Sequence, residues 1–465
     1  MNRLSPWRWR LARTRRGFVY SVYAALTFCA AWSVACAAAT AQPSASPAGA
    51  PSISFEEALR RARQYAGQLQ SANLAVLLAK EDTAQVRAGR LPSVNAFNQY
   101  IYTEGNGTPS GVFVANDGVH VYNEQAVVHE ELLSLLRRGE LNRALAAEAV
   151  AHAKADIASR GLTATVLQDF YAIVAAERKL ANANLSLKQA QQFADITGKQ
   201  EAGGEVAHAD VVKARIDLAQ RERDLREGQL AVEKAKISLG ILIFPDFSSS
   251  FSVVDDLEPP ALLPPAPEVE AQATATSPEV HAAAASVQQA SQDVTVARYQ
   301  YLPSFGLDFF YGLDANQFAA RTYSPDLALD HPNYRQNLGY VAQATLNIPI
   351  WNWGATHSKV KQAEFKREQA LLDQSLAQRT LHANLASAYA EARLALAELD
   401  SLRNSVALAA ESLRLTLLRY QAGEATALEV VDAQNTANLA RNAQDDGLAR
   451  YRIALAGLQI LTGSL

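Results

Sequence analysis

From Ala355 to Ala422 the chain runs 68 residues without a glycine or a proline. A helix of that length extends about 100 Å at roughly 1.5 Å per residue, several times the width of a small domain. Within it Leu381, Leu385, Tyr389, Ala392, Leu396, Leu399, Leu402 and Val406 recur every 3 or 4 residues, which is one stripe of a helix. Gly423 stops the run, and a return helix is expected from about Thr426 to Leu461. Such a pair does not fit a compact globule. It fits an antiparallel, coiled-coil-like array in which alanine-rich faces approach closely.

The same plan occurs twice. Leu91-Pro92-Ser93 recurs as Leu302-Pro303-Ser304, Ala202-Gly203 as Ala422-Gly423, and Val211-Val212-Lys213-Ala214 as Val430-Val431-Asp432-Ala433, at separations of 211, 220 and 219. Three matches in one order at a nearly constant offset mark an internal repeat. We therefore expect a first repeat over 42–244, an extended Pro-rich linker over 245–278, and a second repeat over 279–465. Each repeat reads as a moderate helix, two strands, a very long helix, a tip turn and a return helix. In the first, the long helix covers about 131–200, the turn is Gly203-Gly204 and the return helix covers 206–243. In the second, the long helix covers 355–422 and the tip turn lies near 423.

Residues 1–41 read as an export signal. Six arginines (Arg3, Arg8, Arg10, Arg13, Arg15 and Arg16) precede an apolar run that ends in Ala39-Thr40-Ala41, a basic segment, an apolar segment and a small-residue cleavage site in order. Val34-Ala35-Cys36 offers an alternative, lipidation at Cys36, with Ser33 where an aliphatic residue is usual. Thr14-Arg15-Arg16-Gly17-Phe18-Val19 resembles a twin-arginine signal, although adjacency by chance explains it in a segment this rich in arginine. Both cysteines, Cys29 and Cys36, lie in this segment. Cleavage after Ala41 leaves no thiol, which excludes disulfide scaffolds, thiolate metal sites and cysteine nucleophiles. The formal charge is −4 and becomes more negative once the arginines are removed, which argues against a nucleic-acid partner. No later segment holds the ~18 uninterrupted apolar residues of a membrane-spanning helix.

The strands carry a different signal. Leu338, Tyr340, Ala342, Ala344, Leu346, Ile348 and Ile350 share one face and Phe305, Leu307, Phe309, Tyr311 and Leu313 another, each alternating with a mostly polar or glycine set that also includes Val341 and Phe310. Strands are expected near 94–103, 119–128, 305–313 and 338–350. Runs of this length with one apolar face suit a tilted transmembrane strand, and an amphipathic hairpin on a soluble domain suits them equally. Nine of sixteen tyrosines fall in 98–124 or 299–340, as an interfacial girdle requires. Glu124 should face a lumen or lie at the rim, since a carboxylate facing lipid is costly. Four strands cannot enclose a pore, and an open edge in lipid leaves backbone groups unpaired. If these strands span a membrane, several chains must share one barrel.

Together these features resemble the TolC-like outer-membrane efflux proteins. Arg419-Tyr420-Gln421-Ala422-Gly423-Glu424-Ala425-Thr426-Ala427-Leu428-Glu429-Val430-Val431-Asp432-Ala433-Gln434 resembles that family's periplasmic tip turn. Ile348-Pro349-Ile350-Trp351-Asn352-Trp353-Gly354 resembles its strand-to-helix exit, and Ile53-Ser54-Phe55-Glu56-Glu57-Ala58-Leu59 its opening. The first-half exit, Leu135-Leu136-Arg137-Arg138-Gly139, departs from the pattern in lacking a proline. The resemblance implies a mainly α fold with a transmembrane β part. In a homotrimer, long antiparallel helices form an α-barrel, and four strands per chain build a shared twelve-stranded β-barrel in outer-membrane lipid. It further implies a passive conduit that docks on a periplasmic adaptor (membrane fusion) protein and an inner-membrane pump.

By the same resemblance Glu429 and Asp432 line the periplasmic aperture, and Asp210 matches Glu429 in the first repeat. Their i,i+3 spacing puts both on one helix face, and crowded carboxylates prefer cations. Acids in a first turn also simply favour the helix dipole. Gly203, Gly204, Gly423 and Thr426 belong to the tip turns where an adaptor would dock, and ordinary helix capping accounts for them too. The eight histidines are scattered, no phosphate loop or nucleophile elbow appears, and no catalytic residue, cofactor or metal site is expected. A periplasmic coiled-coil structural or adaptor protein without a pore would explain the helices and the signal, but not the alternating strands.

Overall fold

The computed structural model describes residues 52–102, 120–246, 250–258, 262–315, 321–323 and 334–463. The export segment, its cleavage site and Cys36 lie outside the described residues.

The first copy comprises β1 (Ser52–Ile53), α1 (Phe55–Tyr65), α2 (Gly67–Ala88), β2 (Ser93–Tyr102), β3 (His120–Leu133), α3 (Leu135–Ala202) and α4 (His208–Ile243). The second comprises β4 (Ser252–Val253), α5 (Ala266–Thr276), α6 (Pro278–Tyr299), β5 (Ser304–Ala315), the short β6 (Arg321–Tyr323) and β7 (Tyr334–Gln336), β8 (Leu338–Asn347), α7 (Ala355–Gln421) and α8 (Ala427–Thr462). Helix lengths repeat closely: 11, 22, 68 and 36 residues in the first copy, 11, 22, 67 and 36 in the second.

Three boundaries differ from expectation. The stretch 245–278 is not wholly extended, because α5 forms within it as the counterpart of α1. Its prolines mark helix starts. Pro267 stands in the first turn of α5, and Pro278 opens α6 behind Ser277, whose hydroxyl accepts from the Val280 N–H. A proline there sacrifices an N–H that has no helical partner anyway. The second strand runs on to Leu133 rather than stopping near 128, with a bulge between Glu131 and Leu133. The Ser134 hydroxyl then accepts from Arg137 N–H at 3.2 Å and starts α3 at once. The fourth strand ends at Asn347, just before Pro349, which cannot donate to a ladder.

The four long strands form an antiparallel sheet in the order β2-β3-β5-β8. The adjoining helices repeat that order, α2 packing on α3, α3 on α6 and α6 on α7. Further along, α4 packs on α3, α3 on α8 and α8 on α7. The largest core gathers Ile53, Phe170, Tyr171, Leu239, Phe251 and Leu455, with Phe55 edge-on to Phe170 at 5.7 Å. The Tyr171 hydroxyl accepts from Arg452 at 2.8 Å and donates to Asp256 at 3.1 Å, and burial pushes its pKa up to about 12. Beside it, the Arg178 guanidinium holds Asp255 at 2.6 Å. Burial alone would raise that carboxyl, yet Arg178 and the Leu257 amide hold it below its usual range. Among the described residues no helix is long and apolar enough to cross a membrane.

Candidate functional site

Both hairpins turn through the same backbone device. The Glu205 N–H donates to the Gln200 carbonyl at 2.9 Å and the Gly204 N–H to the Glu201 carbonyl at 2.9 Å. Glu424 and Gly423 repeat these bonds on Arg419 and Tyr420 at 2.8 and 3.1 Å. These are Schellman caps, which need a left-handed residue just past the helix. Gly204 and Gly423 supply it, with φ of 78° and 74°. Gly423 therefore corresponds to Gly204, whereas Gly203, at φ −78°, corresponds to Ala422. One offset of 219 now relates Gly204 to Gly423, Asp210 to Glu429 and Lys213 to Asp432.

The return helices start differently. Thr426 accepts from the Glu429 N–H at 3.3 Å, and Glu429 Oε1 accepts from the Thr426 N–H at 3.2 Å, a reciprocal capping box. The other Glu429 oxygen lies 3.5 Å from Arg419. Glu429 is thus engaged within its own turn. Asp432, one turn on, is exposed and makes no ion pair among the described residues. In the first copy Ala207 holds the cap position without a side-chain bond, and Asp210 sits in the first turn behind it.

Aromatic packing joins the tips. Phe193 meets Tyr420 edge-on at 5.2 Å, in a cluster with Ala214, Ala427, Val430 and Val431. A buried polar network lies nearby. Arg221, 5% exposed, reaches Asp217 at 3.1 Å and Asp224 at 3.2 Å on its own helix, and crosses to Asn435 on α8. Burial raises the Asp217 pKa despite Arg221. Nothing in the sequence alone marks this network. Asp217, Arg221 and Asp224 stand at i, i+4 and i+7, a pattern that reads as a solvated helix face until α8 is found covering it.

At the far end, register sorts the sheet into two faces, because directly opposed residues share one. Phe309 opposes Ala342 and Val128, Tyr311 opposes Tyr340 and Ala126, and Leu307 opposes Ala344. The other face sets His129 against Asp308, with Nδ1 and Oδ1 2.6 Å apart, and Asn123 against Gln99 at 3.1 Å. Glu124 does not turn to this polar face. It opposes Asn98 and Leu313 on the apolar one, a row away from the Tyr100–Tyr122 pair. The outer edges of β2 and β8 have no partner among the described strands. Among the described residues no group of three or more side chains could hold a metal ion.

Residues 270–464 match the family model described as outer membrane efflux protein. The chain is 26% identical over 312 residues to the cobalt-zinc-cadmium resistance protein CzcC of Cupriavidus metallidurans, covering 66% of this chain and 67% of that protein. It is 25% identical over 293 residues to the pyoverdine export outer membrane protein OpmQ of Pseudomonas putida, covering 61% and 57%. Its fold matches the CmeC outer membrane channel of Campylobacter jejuni with a TM-score of 0.74 at 15% identity, over 88% of this chain and 85% of that one.

Proposed function

The chain belongs to the TolC-like outer-membrane efflux proteins, and we propose that three copies close into one passive duct across the outer membrane and periplasm. The observation that carries this reading is a matched pair of open edges. The sheet runs β2-β3-β5-β8 and the helical layer α2-α3-α6-α7, so both layers end on the same two sides of the chain. Both helical edges are apolar. Leu74, Leu77 and Leu78 are exposed on α2, and Phe365, Leu372 and Leu376 on α7. Joining β8 of one copy to β2 of the next removes every strand edge, which lipid requires, and buries those leucines in the same step. The reading without a pore leaves both the edges and the apolar sheet face unexplained.

The hairpin tips then point into the periplasm, where Gly203, Gly204, Gly423 and Thr426 form the surface offered to an adaptor protein bound to an inner-membrane pump. Asp432 is the principal carboxylate of the aperture. Glu429 contributes less because Arg419 and its own helix start engage it, and Asp210 provides a second, weaker acid ring.

Planar-bilayer recording tests this directly. Purified protein should give a small, steady conductance that divalent cations block, and Asp432→Ala should weaken the block more than Glu429→Ala. No conductance from membrane-inserted protein, or equal block in both variants, would overturn the corresponding part. A cysteine pair, Leu77→Cys with Leu372→Cys, should crosslink into trimers if α2 and α7 meet across the interface.

A further inference from the structure

All four strand-to-helix junctions lie at one end of the sheet, since Ser93 pairs with His129, Leu133 with Phe305 and Ser304 with Asn347. Each carries large apolar side chains that the chain leaves exposed: Leu91 at the first, Leu132 and Leu133 at the second, Tyr301 and Leu302 at the third. The fourth is the most prominent. There Ile350 is 88% exposed and Trp353 90%. Trp353 also holds φ at 56°, a left-handed conformation disfavoured for any residue with a Cβ, with little packing within the chain to account for it.

Cations stand directly behind each apolar group. Arg87 and Arg90 flank the first junction, Arg137 and Arg138 the second, Arg298 the third, and Lys359 and Lys361 the fourth. Residues 84–92, 132–139, 295–303 and 348–362 contain no carboxylate at all. The four long strands reverse this, having no lysine or arginine while carrying Glu124, Glu130, Glu131, Asp308 and Asp314. Arg137 is engaged by Glu131, and Arg298 by Glu364 at 2.8 Å. Arg87, Arg90, Arg138 and Lys361 are exposed and make no ion pair among the described residues.

A mainly apolar sheet face, interrupted by Glu124 and by Glu130 opposite Leu307, then indoles and leucines, then unpaired cations is the axial profile of a bilayer interface. Tryptophan sits at headgroup depth, and cations just outside are drawn to lipid phosphates. We propose that the four junctions form a phospholipid collar, with Trp351, Trp353 and the leucines at the acyl boundary and Arg90, Arg138 and Lys361 on headgroup phosphates of the periplasmic leaflet. The collar rests on the reading of the sheet as membrane-spanning. The occupant is a bilayer rather than free phosphate, because the cations are dispersed over four junctions while the apolar side chains between them need cover.

The chain supplies its own probe. Beyond residue 41 its only tryptophans are Trp351 and Trp353. Channel purified from the outer membrane, without its export segment, is reconstituted in vesicles whose lipids are brominated either high on the acyl chain or near its end. Indole emission should be quenched more by the shallow bromine. Anionic brominated lipid should quench about twofold more than zwitterionic lipid at equal fraction, since cations near the surface enrich it. The variant Arg90→Glu/Arg138→Glu/Lys361→Glu should lose that preference and keep the shallow quenching. If this variant does not insert, Lys361→Gln alone should show a partial loss.

Blue-shifted emission without quenching would overturn the proposal in favour of a neighbouring copy covering the indoles, and unshifted emission in favour of water. Equal quenching by anionic and zwitterionic lipid would overturn the headgroup contacts, as would abolition of the preference by inorganic phosphate where sodium chloride at the same ionic strength preserves it. A chain that fails to float with vesicles would instead overturn the membrane-spanning reading itself.

Discussion

The two hairpins are nearly the same object in length and differ in how their ends are held. Helices α3 and α7 run 68 and 67 residues and both return helices 36, and both turns close on a Schellman cap around a left-handed glycine. The second return helix starts on the Thr426/Glu429 capping box, whereas the first starts on Ala207 with no side-chain bond. The first instead carries the buried Asp217–Arg221 pair, where the 219 offset places Thr436 and Ala440 in the second. Length and turn type are set by packing that both copies share. The end chemistry is not shared: one copy carries the capping box and the other the buried ion pair.

The sheet joins the copies at one contact, β3 against β5, and the largest effect should come from breaking it. A Cβ on Gly312 would lie 2.1 Å from the Glu124 carbonyl oxygen and 2.6 Å from the Gln125 Cα. These are backbone atoms held in a ladder, so no side-chain movement can relieve the overlap. Gly339, directly opposite Gly312, has nothing within 4 Å of such a Cβ. Gly312→Ala should abolish the heat-stable trimer proposed above in outer-membrane extracts, while Gly339→Ala should leave it near wild type. Equal behaviour of the two would mean that the β3–β5 register is wrong.

Next in size is the polar pair that only the first hairpin has. Arg221→Ala leaves Asp217, 6% exposed, without its partner, and removing one member of a buried pair costs roughly 3–5 kcal/mol. Replacing both, as Asp217→Leu/Arg221→Met, should be close to neutral by the same argument. The pH dependence fixes the mechanism. Burial already raises the Asp217 pKa, so the folded tip binds that proton more tightly than the unfolded chain does. Its contribution is greatest at low pH and is lost as pH rises through the folded value. The Arg221→Ala defect should therefore be smaller at pH ~5 than at pH ~8, read by amide exchange at the tip. Asp255, held below its usual range beside Arg178, has the opposite sign, so the core around Tyr171 should weaken as the solution is acidified.

Much of this contrast could not be read from the sequence. Repetition, helix length and strand alternation were legible because each depends on local periodicity. Helix α5 was hidden because prolines look like linker until their first-turn positions are known. The end of β3 was hidden because His129-Glu130-Glu131 reads as polar surface, although His129 is held by Asp308 from the neighbouring strand. The tip offset slipped by one because Gly203 and Gly204 are adjacent, and only φ shows which bears the turn. Glu429 and Asp432 were legible as a pair on one face. That Arg419 and Thr426 engage one of them and leave the other exposed follows from the turn's three-dimensional closure.

The smallest effect gives the sharpest test of the divergence between the tips. Thr426→Ala removes the acceptor that holds the Glu429 N–H, and loss of such a cap costs about 1 kcal/mol. Ala207 already occupies the equivalent position without a side-chain bond, so Ala207→Thr should add a comparable increment to the first hairpin. Glu is absent at its third helical position, where Asp210 stands, so only half of the box can form and the gain should fall short of the loss. Amide exchange in the first turn of each return helix reads the two changes separately. A gain at Ala207 equal to the loss at Thr426 would show that the Glu429 carboxylate adds nothing to its own cap. Arg419 alone would then restrain it, and the effects of Glu429→Ala and Asp432→Ala on divalent block at the proposed aperture should lie closer together.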